Sequence, residues 1–177
     1  MRTLTRLKMA AVSLAAVVMV AAAVMVAEPQ GGGTGDVVLK QADMEKLMPA
    51  SVYYKGQSAT TQLRNSGGVK FADGSYLLTT LVDTSGYSTG ISSKYQAYFI
   101  TEEAIKIGGH KLAAGVYGIG FIDGDKLLVT DVGAHEVLTV NTGTDAGLAR
   151  PRPLQLVADA AGGYRIYAGR RYVTVSR

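Results

Sequence analysis

The amino-acid sequence predicts an all-β fold: an antiparallel β-sandwich, jelly-roll-like, preceded by a signal or anchor helix and one short helix. From residue 51 onward, short runs rich in Val, Ile, Leu, Thr and Tyr recur about every ten residues. Clusters of Gly, Asn, Asp and Ser separate these runs, as at Asp73-Gly74 and Gly162-Gly163. Short strands at even spacing with tight turns are typical of sandwiches and barrels, so a closed β-barrel is the alternative.

The first 27 residues have the pattern of an export signal. Three basic residues within the first eight precede an uncharged run at 9–27, which is the order of a signal peptide. The run approaches the roughly 20 residues that span a bilayer, but it is mostly Ala and Val, and Ala21 and Ala23 suit a cleavage site. We expect a periplasmic or secreted protein. The alternative is a domain anchored to the membrane by residues 9–27 and lying outside the cytoplasm.

Two short segments precede the predicted strands. Residues 28–35 (EPQGGGTG) have the composition of a flexible spacer. Residues 36–48 predict the one short helix, with Asp36 as its cap and Pro49 as its end. Residues 36–177 are expected to form a single β-sandwich domain. The chain has no Cys, which excludes disulfides, zinc–thiolate sites and cysteine nucleophiles, so this domain depends on its core.

Short strands are predicted from residue 51 to the C-terminus. They cover 51–54, 57–64, 69–72, 75–82, 94–101, 104–107, 112–122, 126–132, 136–141, 154–159, 164–168 and 171–176. Residues 57–64 (QSATTQLR) are small and polar, which indicates an edge or solvent-facing strand. The Gly-rich stretch 65–68 and the Gly108-Gly109 and Asp123-Gly124 pairs are read as breaks between strands.

Residues 105–132 predict a three-stranded antiparallel meander, because two turn signals separate three apolar runs. Alternate residues from Tyr117 to Phe121 are large and are expected to face the core. The residues between them, Gly118 and Gly120, leave the opposite face bare. We expect another segment to pack closely over that face.

Two surface features are candidate ligand contacts. The irregular stretch 85–93 (SGYSTGISS) either presents Tyr87 to a ligand or forms an ordinary hairpin tip. Six Arg but a single acid follow residue 145. They either keep a sheet edge soluble or contact an anionic partner, with Arg170 and Arg171 as the contact candidates. Without the signal, 15 basic residues oppose 14 acidic ones, a net charge of +1 that does not favour nucleic acid.

Three segments carry a resemblance: 48–56 (MPASVYYKG), 65–76 (NSGGVKFADGSY) and 107–118 (IGGHKLAAGVYG). Together they resemble a group of small exported bacterial proteins of unknown function. The stretch KLAAGVY is also similar to the K-L-x-x-G-x-Y pattern of β-sandwich families that have no assigned function. The resemblance implies a periplasmic or secreted β-rich domain, and it implies no catalytic residue and no ligand.

Residues suited to catalysis or metal binding are few. His135 has Asp131 and Glu136 near it in the sequence, but His110 lies in a separate predicted turn, and two exposed turn histidines fit this spacing better than a metal site. The Asp-Gly-Asp at 123–125 lacks the further oxygen ligands of a calcium loop. No P-loop, dinucleotide or serine-hydrolase motif occurs. We therefore expect no enzymatic activity, no metal and no cofactor.

The sequence favours an exported, non-enzymatic binding or envelope-associated β-sandwich module. Its unknown ligand is expected to be anionic or a glycan, and Tyr87, Arg170 and Arg171 are the candidate ligand-binding residues. Nucleic acid is not expected, and the membrane is expected as a partner only through an uncleaved N-terminal segment. The alternative is a self-associating structural protein of the cell envelope or extracellular space, in which an exposed sheet edge pairs with neighbours.

Overall fold

The computed structural model describes residues 35–177, so the predicted signal and nearly all of the spacer lie outside the described residues. The elements are β1 (Val37–Val38), α1 (Gln41–Leu47), β2 (Ser51–Tyr54), β3 (Gln57–Lys70), β4 (Tyr76–Val82), α2 (Thr89–Ser92), β5 (Ala97–Thr101), β6 (Ile105–Ile107), β7 (His110–Leu112), β8 (Gly115–Ile122), β9 (Lys126–Asp131), β10 (Glu136–Asn141), β11 (Gly143–Thr144), β12 (Arg152–Ala158), β13 (Tyr164–Gly169) and β14 (Arg171–Ser176). Neither helix in this range is long and apolar enough to cross a bilayer. The all-β prediction is confirmed.

The strands form two open antiparallel sheets. The first has the order β1-β3-β4-β5-β8-β9-β10, with β2 paired to β3. The second has the order β12-β13-β14-β6-β7, with β11 paired to β14. Neither sheet closes on itself over residues 35–177, so the closed-barrel alternative is wrong. The chain crosses between the sheets before β6, after β7 and after β10, and most neighbouring strands are hairpin partners.

One hydrophobic core joins the two sheets. Phe99 and Ile119 reach it from the first sheet, and Ile166 and Val175 reach it from the second. Strand alternation produces this arrangement, as in β14, where Val175 is buried and Thr174 is exposed. Burying each such side chain contributes roughly 1.5–3 kcal/mol. The shared core therefore holds the sheets together without disulfides.

The other face of the first sheet is covered by three segments. Met44 of α1 packs there with Met48 and Leu78. Nearby, β2 and the connection between β4 and β5 enclose a second cluster that includes Tyr54 and Tyr95. The first sheet is thus buried on both faces, which explains the nearly continuous apolar run in β4.

The predicted short helix exists but begins later than expected. It spans Gln41–Leu47 rather than residues 36–48, because Asp36 is not its cap. Asp36 instead accepts hydrogen bonds from the Ala72 backbone N–H at 2.9 Å and from the Tyr164 hydroxyl at 2.7 Å. Ala72 follows β3 and Tyr164 lies in β13, so this carboxylate links the start of the domain to both sheets.

Both turns predicted within 105–132 are present, but the three segments that they separate do not form one meander. Gly108 and Gly109 do form a tight turn, but it joins β6 to β7 in the second sheet. The turn after Ile122 joins β8 to β9 in the first sheet. Between β7 and β8 the chain changes sheets, because β5 and β9 already occupy both sides of β8.

The break predicted at 65–68 is also wrong. β3 runs continuously through it, with a register shift between Gln62 and Ser66, so the irregularity is a bulge rather than a turn. Its first residues, expected at an edge, pair with β2 and the following ones with β4. Gly67 is needed for close packing, since an added Cβ would lie 2.6 Å from the Leu156 backbone nitrogen of β12.

Candidate functional site

The bare face of β8 supports the candidate site. A Cβ added at Gly118 would lie 2.6 Å from the ring of Tyr54, and one added at Gly120 would lie 2.1 Å from the carbonyl oxygen of Lys94. The expectation that another segment packs closely over this face is therefore confirmed. The segments that do so carry the side chains described below.

Lys55 is held at the tip of a tight hairpin. Lys55 and Gly56 form the two-residue turn between β2 and β3, and both have positive φ, 51° and 74°, as a type I′ turn requires. The Lys55 backbone N–H donates to the carbonyl of Val132 at 2.8 Å, and its Nζ donates to that of Gly133 at 3.3 Å. The hairpin tip thus rests on the connection between β9 and β10.

That connection is shaped by Asp131. One carboxylate oxygen accepts the backbone N–H of His135 at 2.9 Å, and the other lies 2.8 Å from Nδ1 of the same residue. The His135 backbone N–H is the largest cause that holds the pKa of Asp131 below its usual value. Asp131 therefore stays ionised and fixes the turn at neutral pH, and His135 is its turn partner.

Three tyrosine rings form the base of the site. Tyr54 stacks on Tyr95 with centroids 3.6 Å apart, and Tyr87 meets both rings edge-on. Tyr95 directly follows Lys94, so this packing also fixes where Lys94 leaves the sheet. The Lys94 Nζ then donates to Glu136 of β10 at 2.9 Å.

These elements enclose the Tyr54 cleft, which has a volume of about 220 Å³ and is lined mainly by Tyr54, Lys55, Ile91, Lys94, Thr130 and Ala134. Its lining contains two ammonium groups and no carboxylate. The acidic partner of Lys94, Glu136, is itself more than half exposed and pairs with Lys94 from outside the lining. Such exposed pairs are weak, about 0–1 kcal/mol, so a bound anion can replace Glu136 as the partner of Lys94.

The hydroxyl groups of the cleft are hydrogen-bonded to one another. Thr130 Oγ1 donates to the Gly118 carbonyl at 3.2 Å, so the Tyr54 hydroxyl, 2.7 Å away, donates to Thr130. Burial raises the pKa of Tyr54 above its usual value, and it raises that of Tyr95 much further. Both phenols therefore stay protonated near neutral pH, and neither supplies a phenolate nucleophile.

Tyr87 is not displayed to solvent, contrary to the expectation of an exposed loop aromatic. Only 8% of its surface is accessible, and its hydroxyl lies 3.0 Å from the Tyr54 carbonyl and 3.1 Å from that of Gln57. The stretch 85–93 does connect the paired strands β4 and β5, but it folds back over the sheet through α2. Tyr87 therefore braces the hairpin that carries Lys55.

Arg170 and Arg171 both donate to backbone carbonyls of this chain. Arg170 Nη1 lies 2.7 Å from the Ala146 oxygen, and Arg171 Nη2 lies 2.7 Å from the Ile122 oxygen. Neither lines the Tyr54 cleft. Arg170 is nevertheless solvent-exposed. The role of Arg170 and Arg171 as ligand contacts stays a prediction.

The two histidines are not brought together with a set of acids. Among residues 35–177, no group of three or more His, Asp or Glu side chains is arranged to hold a metal ion. His110 begins β7 in the second sheet, whereas His135 precedes β10 in the first.

Sequence reasoning missed Lys55, Lys94 and Thr130 as members of a site. The sequence Tyr54-Lys55-Gly56-Gln57 matches a type I′ hairpin only at Gly56, because Asn, Asp or Gly is preferred at the position that Lys55 occupies. Nothing local indicates that Lys94 meets this tip. Comparison of the chain with family models, curated proteins and solved structures found no match. The functional conclusion therefore depends on the geometry of the cleft.

Proposed function

We propose that this protein is an exported, non-enzymatic binding module that holds a small anionic group in the Tyr54 cleft. One observation carries the proposal: Lys55 and Lys94, from distant parts of the sequence, open onto one preformed cleft without a carboxylate in its lining. The export signal predicted at residues 1–27 supports a periplasmic or secreted location, with membrane anchoring through residues 9–27 as the alternative. We describe the fold as a jelly-roll-like sandwich. The two sheets that share one core support the sandwich, and the three crossings of the chain between the sheets support the likeness to a jelly roll.

The size of the cleft limits what it can hold. Drug-sized ligands occupy pockets of roughly 300–1,000 Å³, and the Tyr54 cleft is smaller, at about 220 Å³. Ile91 and Ala134 add an apolar wall beside the two ammonium groups. A carboxylate on a compact ring, such as one acidic sugar unit, matches both the size and the chemistry.

We favour binding over catalysis because the two hydroxyl groups that line the cleft already donate hydrogen bonds within the protein. The Thr130 hydroxyl donates to a backbone carbonyl, and the Tyr54 hydroxyl donates to Thr130. An activated nucleophile needs an adjacent general base, and the lining offers none. Two lysine side chains that line one cleft are suited to holding an anion.

Replacing Lys55 by Asn should weaken the binding of a uronic acid by about tenfold. The change removes one of two charge-assisted hydrogen bonds, which are worth about 1.5–3 kcal/mol each. It should leave the fold intact, because Asn tolerates positive φ and Asn-Gly is favoured in type I′ turns. Calorimetric titration with glucuronic acid at low ionic strength measures the effect. Lys111→Asn is the matched control, since Lys111 is exposed on the second sheet.

Replacing Glu136 by Gln should have the opposite effect and tighten binding by up to about fivefold, because it removes the carboxylate that competes for Lys94. Arg170→Ala should leave the affinity unchanged. If Arg170→Ala abolishes binding while Lys55→Asn does not, the ligand contacts the C-terminal strands and the Tyr54 cleft is not the site.

Self-association is the alternative, and the outer edge of β10 favours it. β10 pairs only with β9 within the described residues, and Val137 is 46% exposed on it. An outer strand of the second sheet, β12, begins with Arg152 and Pro153, which protect a sheet edge. β10 has no Pro, and its features of this kind are Glu136 and the register shift between Glu136 and Leu138.

If β10 pairs between copies, light scattering should show a concentration-dependent doubling of mass, and Val137→Lys should restore the monomer. Val116→Lys is the matched control, because this exposed valine lies on β8, which is paired on both sides. A monomeric mass at every concentration tested would remove this alternative.

A further inference from the structure

We propose that the binding site extends beyond the Tyr54 cleft and takes an acidic oligosaccharide of at least two units, one acidic and one neutral. This inference rests on the proposed function, because the acidic unit occupies the Tyr54 cleft. A second depression, the Gln96 groove, has a volume of about 470 Å³ and is lined by Ser93, Lys94, Gln96, Phe121, Ile122 and Asp123. Lys94 lines both depressions, so they adjoin at this residue.

The Gln96 groove is preformed. The Gln96 side chain accepts the Phe121 backbone N–H at 2.9 Å and donates to the Phe121 carbonyl at 3.3 Å. The Lys94 backbone lies directly against Gly120. These contacts hold the segment before β5 across β8, and they leave the Gln96 amide one N–H and one lone pair for another partner. A preformed site loses little conformational entropy on binding.

The two depressions differ in charge. Lys94 belongs to both; the Tyr54 cleft adds Lys55, whereas the Gln96 groove adds a hydroxyl, an amide and the Asp123 carboxylate. Asp123 is exposed and makes no hydrogen bond or ion pair with another residue between 35 and 177. A free carboxylate repels a second acidic group but accepts strong hydrogen bonds from neutral hydroxyls. The arrangement therefore fits an acidic unit joined to a neutral, hydroxyl-rich unit.

An extended acidic peptide fits this surface less well. An extended peptide commonly binds a sheet by pairing with an open strand edge, and β8 beneath the groove is already paired with β5 and β9. The side-chain hydroxyl, amide and carboxylate groups in the groove suit sugar hydroxyls, which need no strand partner. A sugar chain is thus the occupant that the groove chemistry favours.

Calorimetry with three probes tests the inference: a tetrasaccharide alternating glucuronic acid with N-acetylglucosamine, glucuronic acid alone, and an acidic tetrapeptide. We expect the tetrasaccharide to bind at least about tenfold more tightly than the monosaccharide, since one added charge-assisted hydrogen bond is worth about 1.5–3 kcal/mol. Asp123→Ala should remove most of this advantage and leave the affinity for glucuronic acid unchanged. Glu45→Ala, which removes an exposed carboxylate on α1, is the matched control.

The possible results separate the two proposals. Equal affinity for the tetrasaccharide and glucuronic acid would overturn the extended site and leave the Tyr54 cleft standing. An acidic tetrapeptide that binds more tightly than the tetrasaccharide would overturn the sugar assignment. If no probe binds, the proposed function fails and the extended site fails with it. Thermal melting of Asp123→Ala confirms that any loss is not due to unfolding.

Discussion

Replacing Gly120 by Val is expected to lower the free energy of unfolding by about 3 kcal/mol, at the upper end of the usual overpacking range. The first added carbon would lie 2.1 Å from the Lys94 carbonyl oxygen and 2.6 Å from its carbon. Both atoms belong to the backbone, so no change of rotamer relieves the clash. β8 is paired on both sides and cannot shift away, so the segment over it must move.

Thermal melting measures this loss, and each kcal/mol shifts Tm by about 2–4 °C in a domain of this size. Gly86→Val is the matched control: it lies in the connection over the sheet, and an added Cβ there meets no atom within 4 Å. Because the displaced segment carries Lys94, Gly120→Val should also weaken the binding of glucuronic acid. Equal Tm values for the two valine variants would show that the bare face of β8 is not closely packed.

Glycines within a strand lead to a correct prediction in β8 and to a wrong one in β3. Both strands contain glycines at which an added Cβ would strike a neighbouring segment. In β8 the alternation with Tyr117, Ile119 and Phe121 identified the glycines as one face of a strand. At 65–68 the glycines are adjacent and follow Asn and Ser, which is also the composition of a turn. The pairing with β4 and the packing of β12 against Gly67 show that this stretch is part of a strand and not a turn.

The candidate site was less predictable than the fold, because it is assembled from long-range contacts. Turn chemistry at Lys55-Gly56 and at Asp131 to His135 is local, and strand alternation predicts burial within each strand. Lys55 and Lys94, however, line one cleft only because the β2–β3 hairpin and the segment before β5 both fold over β8. Tyr87 shows the converse: its Gly- and Ser-rich neighbours indicate exposure, yet the loop folds back and buries the ring.

Replacing Arg171 by Ala is expected to lower the free energy of unfolding by about 2 kcal/mol, within the range for hydrogen bonds to a charged group. Its Nη2 donates to the carbonyls of Ile122 and Lys126 at 2.7 and 3.1 Å, and its guanidinium lies 5.6 Å from the centre of the Phe121 ring. Arg171 belongs to β14 of the second sheet, whereas these partners belong to the β8–β9 hairpin of the first. The substitution therefore removes a tie between the two sheets and leaves two carbonyls without their charged donor.

Two variants decide whether this geometry, rather than positive charge alone, produces the effect. Both bonds to carbonyls come from Nη2. Arg171→Lys keeps the charge, but its side chain is one bond shorter and lacks the planar guanidinium that places Nη2, so it should recover less than half of the lost stability. Arg170→Ala removes the adjacent, exposed arginine, whose partners all lie in the loop at 145–148, and it should lower Tm far less. If Arg170→Ala and Arg171→Ala melt at the same temperature, the tie between the sheets contributes no measurable stability. If Arg171→Lys melts like the unmodified protein, positive charge at this position is sufficient and the placement of Nη2 by the guanidinium adds no measurable stability.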